Sequence, residues 1–387
     1  MKRSLEAIHV SHAGVLPRPA DLQQLWLGGA DTQTEFDEAL PAAVKEVVDR
    51  QIERGISCVN DGEISKQGGF SGYIRDRMSG IAQGEWGPGE QPQRAPVNGR
   101  DRRDFPEFYA TGRGMTQIGA NPAAGYGGVF FVVDDLTYTG RDAVQADIDR
   151  LKAATAGRDV EAYLPAVAPG TMEHWLWNRH YPSDEAYLFA LADVLHEEYQ
   201  QITDAGVILQ IDDPDLPDGW QMFPDWTVAD YRKYAEVRVE AINHALRGIP
   251  EDLVRLHICW GSQHGPHADD IPLEEFLDIV FKVNAQCYSI EAANPQHEHE
   301  WTVFEKHPLP DGKSLMPGVV GHATDIIEHP VLVAQRIVRY ANIVGKENVI
   351  AGTDCGLASR VGSGDVCWAK LKALGDGARL ATERLFG

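Results

Sequence analysis

The sequence is short of cysteine and of basic residues, and it has no long apolar run. Its 5 cysteines in 387 residues are odd in number and scattered. That pattern excludes a disulfide framework and fits a reducing compartment. No stretch approaches the roughly 20 apolar residues of a membrane span. The first residues, Met1 to Ala7, contain no apolar signal core, so a soluble, cytoplasmic protein is expected. Only 35 basic residues stand against 58 acidic ones, a formal charge of −23. Such a balance argues against a nucleic-acid surface and against anionic membranes. No glycine-rich phosphate fingerprint follows any strand, which leaves nucleotide binding without support. A small-molecule ligand remains, with a homo-oligomer open.

What the sequence does contain is a rhythm of strand and helix. Short apolar runs at 7–10, 57–60, 160–166, 207–211, 254–258, 287–290, 315–320 and 349–352 read as strands. Helical spacing of apolar residues recurs at 37–54, 141–155, 183–204, 227–247, 272–283, 330–344 and 365–385. Ser183 is placed to cap its helix. Eight strands alternating with helices predict an α/β fold, a (β/α)8 TIM barrel, as one domain over residues 1–387. An open doubly wound sheet is the second choice. The stretch 64–135 breaks the rhythm. Gly, Pro, Gln and Arg crowd 80–105, and Val129 to Val133 reads as one arm of a hairpin outside the main sheet. An irregular excursion that caps the fold or meets a neighbouring subunit is expected there.

The chemistry gathers at strand ends. In Val254-Arg255-Leu256-His257-Ile258-Cys259, residues two apart share a face, so one imidazole and one thiol emerge together. Glu291 ends the 287–290 strand, and Cys355 follows the 349–352 strand in Asp354-Cys355-Gly356. His257, Cys259, Glu291 and Cys355 meeting at one mouth would make a four-ligand zinc site. The bland alternative is ordinary buried thiols, the reading taken for Cys58, Cys287 and Cys367. Glu63 and Asp212 also sit at strand ends, the face that carries the site in such barrels.

These motifs resemble the catalytic barrel of the cobalamin-independent methionine synthase family, in particular its short single-barrel members. The likeness runs over nearly the whole chain. It implies zinc held by His257, Cys259, Glu291 and Cys355, and alkyl, first of all methyl, transfer to the sulfur of a small thiol. The match extends to Gly62-Glu63 and to Gln210-Ile211-Asp212-Asp213-Pro214, which implies that Glu63 and Asp212 bind the amino group of the substrate. Gly14-Val15-Leu16-Pro17 stands where the family has Gly-Ser-Phe-Pro, so Val15 replaces a substrate-binding serine. The same superfamily includes epoxyalkane:coenzyme M transferases, which open an epoxide with a thiol. That is the alternative activity.

Either reaction needs a thiolate at neutral pH, which zinc favours. Glu291 is the ligand expected to yield to substrate sulfur, because sulfur binds Zn²⁺ more softly than oxygen does. His322, just past the 315–320 strand, is the candidate general acid, with Asp213 as second choice. Asn294 and Trp301 follow Glu291 closely enough to touch substrate. Trp175, Trp177 and Tyr181 read equally as a pocket roof or as loop packing. His264, His267, His297 and His299 are read as loop-mouth residues in preference to a second metal site.

Overall fold

The computed structural model describes residues 1–387 apart from 67–68, 91, 93, 96–97, 112–128 and 263. Eight strands form the expected barrel: β1 His9–Val10, β2 Cys58–Val59, β3 Glu161–Val167, β4 Ile208–Asp212, β5 Val254–Ile258, β6 Cys287–Glu291, β7 Ser314–Val320 and β8 Ile350–Thr353. Every recorded pairing among them is parallel, in the order β1-β8-β7-β6-β5-β4-β3-β2. The two end strands nearly close the ring. The Ser57 amide donates to the Val10 carbonyl (3.0 Å), and the Ser11 hydroxyl donates to the Cys58 carbonyl (3.0 Å).

Strand periodicity sorts the side chains. Leu209, Ile211, Val254, Leu256, Ile258, Tyr288 and Ile290 belong to the main apolar core that the helices cover. Each such side chain, fully buried, stabilises the fold by about 1.5–3 kcal/mol relative to exposure. The alternate residues point into the barrel, where they form tiers. Cys58, Tyr163, Ile208, Cys287, Met316 and Ile350 make an apolar floor. Above it lies Arg255, 1% exposed, which donates to Gln210 Oε1 (2.8 Å), Ser11 Oγ (2.9 Å) and the His12 carbonyl (3.3 Å). The residues of interest form the next tier, at the carboxyl ends.

The surrounding helices are α1 Gln33–Ile52, α2 Arg141–Thr155, α3 Asp184–Asp204, α4 Val228–Ala245, α5 Pro330–Val344 and α6 Gly364–Phe386. Ser183 Oγ accepts the Ala186 amide (3.1 Å) as an N-cap, and Thr227 with Asp230 completes a capping box on α4. Two expectations need correction. The segment 272–283 is not one helix but a 3-10 turn, Leu273–Glu275, and a single α-turn, Leu277–Val280. Leu273, Phe276, Leu277, Ile279, Val280 and Val283 are buried while Glu274, Glu275, Asp278 and Lys282 are exposed, but Phe276, with φ −145°, interrupts the helix between them. The excursion is also more regular than its composition suggests. Met78–Gly84 pairs antiparallel with Val129–Tyr138, and Trp177–Asn178 adds a third strand. Residues 112–128 of the expected excursion lie outside the described residues.

The excursion caps its own barrel. Helix Gly99–Asp104 docks beside Asp215–Met222, with Arg100 donating to the carbonyls of Trp220, Phe223 (3.0 Å) and Trp226 (2.9 Å). Asp101 accepts the amides of His267 (2.8 Å) and Asp269 (3.0 Å).

Candidate metal centre

In register, Asp212 of β4 pairs with His257 of β5, and His257 pairs with Ser289 of β6. The three side chains therefore stand in a row inside the barrel. His257 Nδ1 lies 3.0 Å from Ser289 Oγ, while its Nε2 is buried without a hydrogen-bond partner. Cys259 emerges two residues on, beside His257. Cys355 arrives from β8, three strands along the ring from β5, because the turn carrying it is pinned across to β6. Asp354 Oδ1 accepts the amides of Ala292 (2.8 Å) and Ala293 (2.9 Å).

His257, Cys259 and Cys355 each offer one ligand atom, and these atoms lie within 4.8 Å of one another. Cys259 Sγ and Cys355 Sγ are 3.9 Å apart. Two sulfurs each about 2.3 Å from a tetrahedral Zn²⁺ would stand about 3.8 Å apart. An orphaned buried imidazole nitrogen facing two sulfurs at that separation fits a soft cation. Glu291 is not a member of this three-residue group. Its carboxylate sits at the tip of β6, 2% exposed, with Oε2 accepting Asn294 Nδ2 (3.0 Å) and Oε1 buried without a partner. Burial works against charge on His257, but the Cys355 thiolate, Asp212 and Glu291 outweigh it and hold its pKa above the ordinary value. The Cys259 thiol donates to Cys355, which drives the Cys355 pKa well down and the Cys259 pKa well up.

Around this cluster, Glu63 adopts a left-handed φ of 55°, an uncommon state for a non-glycine residue. Its Oε2 lies 3.2 Å from Lys66 Nζ, both side chains being buried. Gly14 makes room for it, since a Cβ there would stand 2.6 Å from Glu63 Oε1. Burial first, then the Glu63 charge, raises Asp212 to about 7, against the opposing effect of His257. Asp213 is likewise raised to about 7, chiefly by burial and Asp215, while Thr171 Oγ1 donates to its Oδ1 (3.2 Å). Its Oδ2 has no partner.

His322 is 2% exposed, neither ring nitrogen has a partner, and it lies within electrostatic reach of Cys355. The loop bearing it is clamped at Gly321, whose amide donates to Glu328 Oε1 (2.8 Å) and whose carbonyl accepts Lys370 Nζ (3.0 Å). Val15 is half-buried and lies against Gly356, where an added Cβ would meet Val15 Cγ1 at 2.6 Å. Trp301 packs on the helix layer, with the Arg339 guanidinium carbon of α5 5.3 Å from its ring centroid. Trp177 joins the lateral sheet, and Trp175 Nε1 donates to Asp215 Oδ2 (3.3 Å).

Two of the loop histidines, His267 and His297, pair with carboxylates. His297 stacks on Trp260 (3.7 Å between centroids) and contacts Glu300 Oε2 (2.8 Å) and Asp270 Oδ2 (3.1 Å). Burial opposes its charge, but Asp270 and Glu300 raise its pKa to about 10. His267 Nδ1 meets the other side of the same network at Asp270 Oδ2 (2.7 Å). Protonated rings carry no lone pair for a metal. Ser289, Asp354 and Lys66 were missed by the sequence reading. Ser289 was accessible to it, being two residues before Glu291 on one strand face, and Asp354 lies within the motif that marked Cys355.

The chain is thus a parallel eight-stranded α/β barrel with a Cys₂His cluster at its carboxyl mouth. Residues 132–379 match the family model described as cobalamin-independent synthase, catalytic domain, and the chain belongs to that family. The 2-hydroxypropyl-CoM lyase of Xanthobacter autotrophicus is 26% identical over 204 residues, 46% of this chain and 50% of that protein. A methionine synthase of Saccharolobus islandicus is 25% identical over 225 residues, 57% of this chain and 59% of that protein. The chain thus matches little more than half the length of these relatives. In fold, it is similar to a B12-independent methionine synthase from Shewanella sp. W3-18-1, with a TM-score of 0.70 and 22% identity over 98% of this chain and 99% of that one. No helix among the described residues is long and apolar enough to cross a membrane.

Proposed function

We propose that this protein is a zinc-dependent alkyltransferase that adds a carbon group, first of all methyl, to the sulfur of a small thiol. The observation that carries the reading is the buried His257 Nε2 facing two sulfurs 3.9 Å apart. Zinc, when bound, favours the thiolate of a sulfur nucleophile at neutral pH. His257, Cys259 and Cys355 would hold the metal. Glu291 would be the fourth ligand and the one that gives way to substrate sulfur, since Asn294 already holds its other oxygen. Glu63 and Asp212 would receive a substrate amino group. Lys66 beside Glu63 lessens the repulsion between these two acids. Asn294 would flank the thiol, Val15 would line the mouth, and Trp301 would act from the outer layer.

The leaving group needs a proton. His322 is the donor of choice, because both nitrogens of its buried ring are without a partner beside the cluster. Asp213 is the second choice, raised to about 7 and so partly protonated at neutral pH. A second reading, epoxide opening by the thiol, is favoured by one observation: Val15 offers no hydroxyl where the amino-acid-binding family has serine. It is supported by the similarity to a 2-hydroxypropyl-CoM lyase.

The test is to purify the protein with zinc and measure metal per chain. Homocysteine or 2-mercaptoethanesulfonate is then offered with methyl donors and with epoxypropane, and thioethers are sought by mass spectrometry. One zinc per chain and an S-methyl product is the expected result. A 2-hydroxypropyl thioether instead selects the second reading. A protein that holds no zinc, or makes no thioether from either thiol, overturns both.

A further inference from the structure

Arg360 follows the Cys355 turn by five residues and is 9% exposed. Its Nε, Nη1 and Nη2 are all buried with no hydrogen-bond partner, and among the described residues no carboxylate lies within ion-pairing distance of it. A guanidinium carries five N–H donors in a planar fork, and leaving all of them unmet inside a protein is costly. Burial lowers its pKa to about 10, so it remains charged at neutral pH, and the opposite charge felt there is that of Cys355. The cation therefore borders the candidate metal cluster.

Two histidines lie within electrostatic reach of this part of the mouth. His264 feels the charges of both Arg360 and His322, and both ring nitrogens of the buried His322 are unpartnered. His257 Nε2 is the third orphan at this mouth. The other arginine near the mouth, Arg18, is spent on backbone, donating to the carbonyls of Ile64 (2.9 Å) and Lys66 (2.8 Å). Arg360 is thus a fixed, unspent cation beside the place proposed for substrate sulfur.

Resting on the proposed thiol-alkylation reading, we propose that Arg360 binds an anionic group, a carboxylate or sulfonate, carried by the thiol substrate. Two parallel N–H donors match two oxygens of such a group. Val15, packed at Gly356, supplies no hydroxyl for that purpose. The substrate is then a short thiol acid whose sulfur meets the cluster while its anionic end meets Arg360. Neutral thiols of the same length are poor ligands.

The test measures binding and needs no turnover. The metal-loaded protein, with cobalt in place of zinc to give a visible spectrum, is titrated with 3-mercaptopropionate, 2-mercaptoethanesulfonate and 2-mercaptoethanol. The native protein is expected to bind at least one anionic thiol about 10- to 100-fold more tightly than the neutral one, the range of a hydrogen bond to a charged group. Whichever anion is preferred identifies the tail as carboxylate or sulfonate. Arg360→Met is expected to lose that preference while still binding 2-mercaptoethanol, and Arg360→Lys to keep part of it. Metal content and unfolding midpoint establish that each variant is folded. Equal affinity of the native protein for all three thiols overturns the role of Arg360 and leaves the metal reading intact. So does an Arg360→Met variant that weakens all three equally. If no thiol alters the cobalt spectrum, the metal–thiol reading falls, and the role of Arg360 with it.

Discussion

Replacing Ser289 with alanine should loosen the metal without removing any ligand. The Ser289 side chain is fully buried, and its hydroxyl oxygen lies 3.0 Å from His257 Nδ1. For Nε2 to give its lone pair to a cation, Nδ1 must carry the proton and donate it. Ser289 Oγ is the acceptor in place. Alanine leaves a buried N–H without a partner, a cost of about 1–3 kcal/mol. That cost falls on the tautomer that binds metal. Loss of such an outer hydrogen bond typically lowers metal affinity about 10- to 100-fold, or ~1.4–2.7 kcal/mol, which agrees with the first figure. Competition for zinc against a chromophoric chelator at pH 7.5 measures it directly. Ser289→Thr, which keeps the hydroxyl, should restore most of the affinity. An alanine variant within twofold of native would show that this hydroxyl does not set the tautomer and would refute the reasoning.

Cys259→Ser and Cys355→Ser should each abolish stoichiometric zinc, and full occupancy by elemental analysis in either one contradicts the ligand assignment. Because the folded protein raises His297 from 6.5 to about 10, it binds that proton more tightly than the unfolded chain. The resulting stabilisation is complete below about pH 6.5 and is lost as the pH rises through about 10. The difference in urea midpoint between native and His297→Gln should narrow over that window, and a constant difference would rule the ion pairs out as its source. Gly14→Ala places a Cβ 2.6 Å from Glu63 Oε1. It should raise KM for an amino-bearing thiol about tenfold or more, if a displaced carboxylate loses one charge-assisted hydrogen bond, and leave zinc content unchanged. An unaltered KM would remove Glu63 from the substrate site.

The barrel was legible because its strands and helices alternate at two different periods along most of the chain. The pairing of His257 with Cys259 followed from strand geometry, and their meeting with Cys355 from the rule that barrel sites gather at carboxyl ends. Glu291 was placed at the strand tip where it stands, but its hydrogen bond from Asn294 is a side-chain contact that no pattern reveals. Arg360 was invisible for a different reason. A lone arginine in a loop reads as surface until burial and missing partners are seen. The 272–283 segment misled because its buried and exposed residues follow a helical spacing, while the break at Phe276 leaves no mark in that pattern. The excursion was obscured by its Gly, Pro and Arg content, since docking of Arg100 and Asp101 onto distant backbone is long-range information.

Gly318 of β7 lies between the two strand ends that supply the sulfurs. A Cβ at this position would stand 2.3 Å from Asp354 Oδ1 and 2.5 Å from Asp354 Cα. The missing side chain lets the turn after β8 lean over β7 and fasten to β6. A single methyl group at residue 318 would therefore act as a wedge, tilting Cys355 outward and opening the gap between the thiols. The position of the turn that carries Cys355 thus depends on a residue that offers no donor atom of its own.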